Sequence, residues 1–174
     1  MKYRKLFAAA FVVFFFSQAG AQHEPDLDRL DEKLVRHLEP KMPGWSHERI
    51  RPIEGSKGVL IQRWSSTNRS IRIAISAARS PQEARQAMQN MMRDVKGQPL
   101  TGFGDDAFVW GFEGSDLEIR RGRFIIDLNA GADVGSDPDA RALTPAQRHD
   151  RELAEVKRII RGFAKHLVDA VDLP

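Results

Sequence analysis

The sequence predicts an α+β domain: a mainly antiparallel sheet of about five to six strands with helices packed on one face. Three observations support this class. Isoleucines alternate with smaller or polar residues over 71–77, as in a strand with one face in water. Each half of the chain has the order strand, hairpin, strand, and then a helix that begins at Ser-Pro or Thr-Pro. Leucines three and four residues apart add an N-terminal helix.

The N-terminal helix is predicted over 26–39. Pro25 precedes this segment and Pro40 ends it, and its apolar face consists of Leu27, Leu30, Leu34 and Leu38. A linker follows. Residues 48–54 have the composition of a short strand, but Pro52 cannot donate a ladder hydrogen bond, so this strand is expected at an edge or a bulge.

The first half continues with strands over 59–66 and 70–78, joined by a turn at "SSTNR". A helix then starts with Ser80 as N-cap, Pro81 in its first position and Glu83 in its third, which is a capping box. Apolar residues at helical spacing follow, and Gly97 closes the segment.

The second half predicts strands over 106–112, 116–121 and 123–130, with Gly122 in the tight turn between the last two. Thr144, Pro145 and Gln147 repeat the capping box, and the closing helix runs to about residue 169. The order of the strands in the sheet stays open.

The N-terminal segment 1–21 has the features of a signal peptide. Three basic residues precede the apolar run Leu6–Phe16, and "AGA" supplies the small residues before a cleavage site between Ala21 and Gln22. The run is too short to span a bilayer. We therefore expect a periplasmic or secreted product, one domain over 22–174, with no transmembrane segment after cleavage.

Charge and composition limit the partners of that product. Residues 1–21 hold three of the 27 Lys and Arg and none of the 24 Asp and Glu, so residues 22–174 carry no formal net charge. This balance does not predict a nucleic-acid partner. The chain has no Cys, and its five His are scattered without a metal-binding spacing.

Two apparent ligand motifs do not fit their structural contexts. Gly102, Gly104 and Ala107 have dinucleotide-loop spacing, but a strand follows them where a helix is required, so this segment is predicted to be a turn. The loop "DVGSDPDAR" lacks the spacing of a calcium loop. No metal and no cofactor are predicted.

Two groups of side chains are candidates for ligand binding. Strands 59–66 and 106–112 carry apolar groups on both faces, so their aromatic rows are either buried, which is favoured, or partly exposed as a binding surface. Arginines crowd two hairpin tips and suit an anionic ligand. The candidate residues are Trp64, Trp110, Arg72, Arg120, Arg121 and Arg123.

No convergent catalytic set is recognisable, so a non-catalytic domain that binds an envelope protein or an anionic small ligand is the preferred function. The alternative is a periplasmic hydrolase with Asp106 or Asp116 as general acid or base and Arg120 stabilising an oxyanion. Asp105 and Asp106 are expected to point to opposite faces of a strand. Arg120 is expected on the solvent face.

The segment "GFGDDAFVWGFEGSDLEIRRGRFIIDLNAG", together with the later "FAKHLVDAV", resembles the C-terminal half of small exported bacterial proteins of unknown function. Their shared features are a Gly-Asp-acidic-Ala-aromatic start, an Arg-x-Gly hairpin and a closing helix. The similarity extends roughly from Gly102 to Val171. It implies a small exported α+β domain and brings no activity or site with it.

Overall fold

A computed structural model describes residues 27–51 and 58–171. Within these ranges the chain forms one antiparallel sheet of seven strands and three α-helices. Their bounds, in chain order, are α1 Leu27–Leu38, β1 Ser46–Ile50, β2 Val59–Ser66, β3 Arg69–Ala77, α2 Pro81–Asp94, β4 Gln98–Leu100, β5 Asp106–Trp110, β6 Asp116–Arg121, β7 Phe124–Ala132 and α3 Pro145–Val171. The α+β class is therefore confirmed.

The sheet has one or two strands more than expected. The sequence does not predict strand β4, because this strand has only three residues and contains Pro99, which breaks the usual strand pattern. Strand β1 begins at Ser46, and the end of the predicted 48–54 segment lies outside the described residues. Both short strands lie at edges, where a proline or charged side chains discourage pairing with another chain.

The strand order is β1-β2-β3-β7-β6-β5-β4. Strand β3, the last strand of the first half, therefore lies beside β7, the last strand of the second half. Strands β3 and β7 pair along their full lengths, with Ile73 opposite Leu128. The two halves of the chain thus belong to one continuous sheet.

The helices lie on both faces of the sheet, which corrects the expectation of one face. Helices α1 and α3 cover the first face, where the main core includes Trp64, Ile73 and Phe163. Helix α2 covers part of the second face and packs on Phe108 and Ile125. Neighbouring residues such as Ile125 and Ile126 enter different cores because successive strand side chains point to opposite faces.

The predicted capping box at Thr144 is complete, whereas at Ser80 only the hydroxyl half forms and Glu83 Oε2 accepts from the Arg79 amide at 2.9 Å. The hydroxyl of Ser80 accepts a hydrogen bond from the Glu83 amide at 3.1 Å, and that of Thr144 accepts one from the Gln147 amide at 3.3 Å. The Gln147 side chain in turn accepts from the Thr144 amide at 2.9 Å. These bonds satisfy first-turn donors and fix where the two longer helices begin.

The predicted signal peptide and its cleavage site at Ala21 and Gln22 lie outside the described residues. No helix within 27–51 or 58–171 combines the length and the apolar character that a membrane span requires.

Candidate functional site

The predicted arginine cluster is neutralised by the protein itself. Arg120 is only 2% exposed, so the expectation that it faces solvent is wrong. Its guanidinium donates to Asp106 at 2.6 Å, to Asp105 at 3.0 Å and to the Gly122 carbonyl at 3.0 Å. Strand alternation carries Arg120 to the second face, and the two aspartates at the start of β5 compensate its charge there.

Asp105 and Asp106 converge on the same cation, contrary to the expectation that they diverge. Strand β5 starts at Asp106, and Gly104 just before it has a φ of 58°, so Asp105 does not follow the strand alternation. A side chain at Gly104 would lie 2.4 Å from the Arg120 carbonyl. The "GFGDD" segment is therefore a tight turn that delivers two acids to Arg120.

The other two hairpin arginines also have internal contacts. Arg121 donates to Asp105 at 3.0 Å, and the Arg123 guanidinium lies 5.6 Å from the centre of the Phe124 ring. The three arginines already contact groups of the protein, so their guanidinium groups do not form a single anion-binding site.

The two candidate tryptophans have different surroundings. Trp64 is fully buried in the main core, and its Nε1 donates to Gln62 Oε1 at 2.9 Å, so the β2 aromatic row is buried as favoured. Trp110 is half-buried beside the α2 core, and its Nε1 has no hydrogen-bond partner among the described residues. The registers place Trp110 and Arg72 in one cross-strand row on the second face, about 14 Å apart across three strand spacings.

A pair of carboxyl groups that sequence reasoning missed lies beside that row. Glu118 and Asp127 are directly opposite each other on β6 and β7, and Glu118 is 4% exposed. Arg72 donates to Asp127 Oδ2 at 2.6 Å. Each acid lies between two apolar residues in the sequence. This alternation is the same whether the acid is buried or lies on a solvated face of the strand, so the sequence does not identify the pair.

Burial raises the pKa of both acids. The pKa of Asp127 rises to about 6, because burial and the charge of Asp116 outweigh the attraction of Arg72. The pKa of Glu118 lies well above its ordinary value, first through burial and then through the charge of Asp127. Among the described residues no hydrogen bond reaches Glu118 Oε2 or Asp127 Oδ1 from another group, so a proton held between the two carboxyl groups is the interaction that satisfies them.

A small cleft lies on the first face, between α3 and strands β4, β5 and β6. Its volume is about 140 Å³. Its floor is aliphatic and is formed by Leu100, Val109, Leu117 and Ile160. Three strands and one helix thus contribute one side chain each, which places the cleft on rigid elements.

The rim of the cleft carries two cations from α3. Lys157 and Arg161 are four residues apart, so they lie on the same side of the helix. Neither makes an ion pair with a residue in the described ranges. Other α3 arginines are paired: Arg151 contacts Asp139 at 2.9 Å and Arg158 contacts Glu155 at 2.7 Å.

The opposite wall of the cleft is a turn between β5 and β6. Glu113 and Gly114 line the cleft, and both have positive φ, of 51° and 77°. The preceding Phe112 is 65% exposed, and its ring meets that of His149 on α3 edge-on at 5.6 Å. This strained turn is thereby anchored to the helix that supplies the cations.

A larger and shallower depression of about 420 Å³ surrounds the β2–β3 turn. Its cation, Arg69, already donates to Glu155 at 2.5 Å and lies 3.8 Å from Asp137. That arginine holds the hairpin against α3 and is not available to a ligand in the way Lys157 and Arg161 are. In the part of the chain that the structure describes, no group of three or more His, Cys, Asp or Glu is arranged to hold a metal ion.

No protein-family model, curated protein or solved structure matches the chain.

Proposed function

We propose that the protein is an exported, non-catalytic domain that binds an anionic ligand in the α3 cleft. One observation supports this site above the others: Lys157 and Arg161 lack ion-pair partners among the described residues while they border an aliphatic floor. Every arginine of the hairpin cluster, by contrast, already contacts a group of the protein.

The chemistry of the rim suits a carboxylate. A guanidinium offers two parallel donors that match the two oxygens of a carboxylate, and an ammonium adds a charge-assisted bond. Beside an apolar floor these bonds are less screened than in open water. A ligand with a negative end and an apolar body would satisfy both parts of the cleft.

The proposal of export depends on residues 1–21, which have the order of a signal peptide. Mass spectrometry of the protein from periplasmic and medium fractions of its native host should find an N-terminus at Gln22. An intact N-terminus on a membrane-bound product would contradict export without affecting the cleft.

The binding proposal is tested by calorimetric titration with hexanoate at low ionic strength. We expect the double variant Lys157→Gln/Arg161→Gln to bind at least about tenfold more weakly than the wild type, because each lost charge-assisted bond is worth about that factor. The double variant Arg93→Gln/Lys96→Gln removes the same charge near the end of α2, on the other side of the sheet, and should bind as the wild type does. Equal binding by all three proteins, or no binding by a folded wild type, would contradict the proposal.

Hydrolysis is a second proposal, with residues other than those the sequence suggests. Asp106 and Arg120 are bound to each other, which leaves neither free for a catalytic role. Glu118 and Asp127 favour the proposal, because two carboxyl groups that face each other across β6 and β7 and have raised pKa values resemble a known acid–base arrangement. Turnover of ester or glycoside model substrates that is lost in Glu118→Gln and kept in Asp105→Asn would support it; no turnover by the wild type would reject it.

A further inference from the structure

We propose that the ligand of the α3 cleft is a short aliphatic monocarboxylate. This inference rests on the proposed function and narrows it to one ligand class. It follows from the volume of the cleft, the charge of its rim and the absence of polar side chains on its floor.

The volume limits the length of the tail. The cleft measures about 140 Å³. With the carboxylate at the rim beside Lys157 and Arg161, only the tail enters this small cavity, so a long acyl chain would extend beyond it. A series from acetate to octanoate therefore brackets the tail that fills the cleft.

The floor excludes a second polar end. Leu100, Val109, Leu117 and Ile160 offer no side-chain hydrogen-bond donor or acceptor. A hydroxyl, ammonium or second carboxylate placed on this floor would lose its water without gaining a partner, which is unfavourable. The cleft therefore disfavours hydroxy acids, amino acids and dicarboxylates.

The rim favours a single negative charge. Two cations and the Glu113 carboxylate line the cleft, so their formal charges leave one positive charge for the ligand to neutralise. Because Glu113 lines the cleft, its carboxylate would repel the further charge of a phosphate, a sulfate or a dicarboxylate. Glu113 is thus inferred to determine specificity, and Lys157 and Arg161 to supply attraction.

The test is a titration series from acetate to octanoate, with glutarate and inorganic phosphate as the doubly charged probes. We expect Kd to fall about two- to fourfold with each added methylene until the tail fills the cleft, and then to level off or rise. Glutarate and phosphate should bind more weakly than hexanoate. Equal affinity for acetate and hexanoate, or tighter binding of phosphate, would overturn the proposed ligand class.

Two variants separate the contributions of shape and charge. Val109→Phe should fill the cleft and weaken hexanoate at least about tenfold while leaving acetate binding unchanged, because Val109 is half-buried and lines the floor. Glu113→Gln should tighten glutarate relative to hexanoate; an unchanged ratio would remove Glu113 from the specificity argument. If anions bind through Lys157 and Arg161 with an affinity that does not depend on tail length, the inference of a monocarboxylate ligand is wrong, but the proposed anion-binding function is still supported. If the wild type binds none of the series, the binding function itself fails.

Discussion

Glu118 and Asp127 face each other across the β6–β7 ladder, and Arg72 from β3 donates a hydrogen bond to Asp127. Asp116 is a further charged group that acts on both acids. Helix α2 packs on the second face through three uncharged residues, Ala84, Met88 and Met91. The two acids thus meet a single arginine in a largely apolar setting, which is compatible with one bound proton and unfavourable to two negative charges.

The acid pair predicts that stability falls as the pH rises. The pKa of Asp127 is 3.8 ordinarily and about 6 in the fold, so between these values the folded state binds more protons than the unfolded state. The stabilisation is complete below about pH 4 and is lost as pH rises through 6, with a further loss at higher pH from Glu118. The effect of Asp127 alone is on the order of 3 kcal/mol. Urea unfolding from pH 4 to 8 measures it.

The variant Glu118→Gln provides the control for this pH dependence. It removes the acid that ionises at the higher pH and leaves Asp127 beside Arg72, so the further loss of stability above pH 6 that Glu118 causes should disappear. At pH 8 the variant is expected to be more stable than the wild type. If the free energy of unfolding changes with pH in the same way in both proteins, the acid pair is not the cause of the pH dependence.

Arg120→Met should be destabilising. The side chain is 3% exposed and holds Asp105 and Asp106, so its removal leaves two carboxylates without their main counter-ion. Because these two carboxylates are 31% and 46% exposed and can be hydrated, we expect a cost of about 1–3 kcal/mol, below that of breaking a fully buried ion pair. Arg121→Met removes a one-third exposed partner of Asp105 and should cost less than about 1 kcal/mol. Denaturant midpoints that do not differ between the two variants would contradict the assigned roles.

The start of α3 offers a test of local structure. Thr144→Ala removes the hydroxyl that accepts the Gln147 amide, and we expect it to lower the free energy of unfolding by about 1 kcal/mol. Thr144→Ser keeps the acceptor and should stay close to the wild type. A fully exchanging 145–171 segment in hydrogen exchange of the wild type would contradict the closing helix.

Much of the fold follows from local signals in the sequence. The spacing of leucines in α1, the isoleucine alternation in β3 and the two capping boxes each act within a few residues, so they identify elements and most boundaries. Strand β4 has too few residues to show a period. The placement of α2 on the second face depends on Phe108 and Ile125, which the sequence alone does not distinguish from their neighbours in the main core.

The candidate sites depend on distances that a sequence does not contain. The sequence does not show the ion pair between Asp105 and Arg120, because the two residues are 15 positions apart and only the β5–β6 pairing brings them together. Lys157 and Arg161 have the pattern of ordinary solvated residues of a long helix. Their significance comes from their position beside β4 and β5, which depends on the strand order and on where α3 crosses the sheet.

Gly111 lies in the turn that leads to one wall of the cleft, and its substitution should affect both the stability of the protein and the shape of the cleft. Its φ is 74°, and a β-carbon there would lie 1.9 Å from Asp116 Oδ2, an oxygen that also accepts from Ser115 Oγ at 2.8 Å. Gly111→Ala must therefore displace Asp116 or shift the turn. This cost adds to that of the backbone, because φ 74° with ψ −167° is a conformation essentially restricted to glycine and costs another residue about 1–3 kcal/mol, so we expect a total loss of stability above about 2 kcal/mol.

The matched control for Gly111 is Gly122→Ala. Gly122 also has a positive φ, of 57°, but a β-carbon there meets nothing within 4 Å, so only the backbone cost of about 1–2 kcal/mol applies. Because Glu113 and Gly114 lie just beyond Gly111 and form one wall of the cleft, Gly111→Ala should also weaken hexanoate, whereas Gly122→Ala should not. Thermal unfolding and titration of both variants decide the point. Equal stabilities, or unchanged hexanoate binding in folded Gly111→Ala, would show that the turn does not shape the cleft.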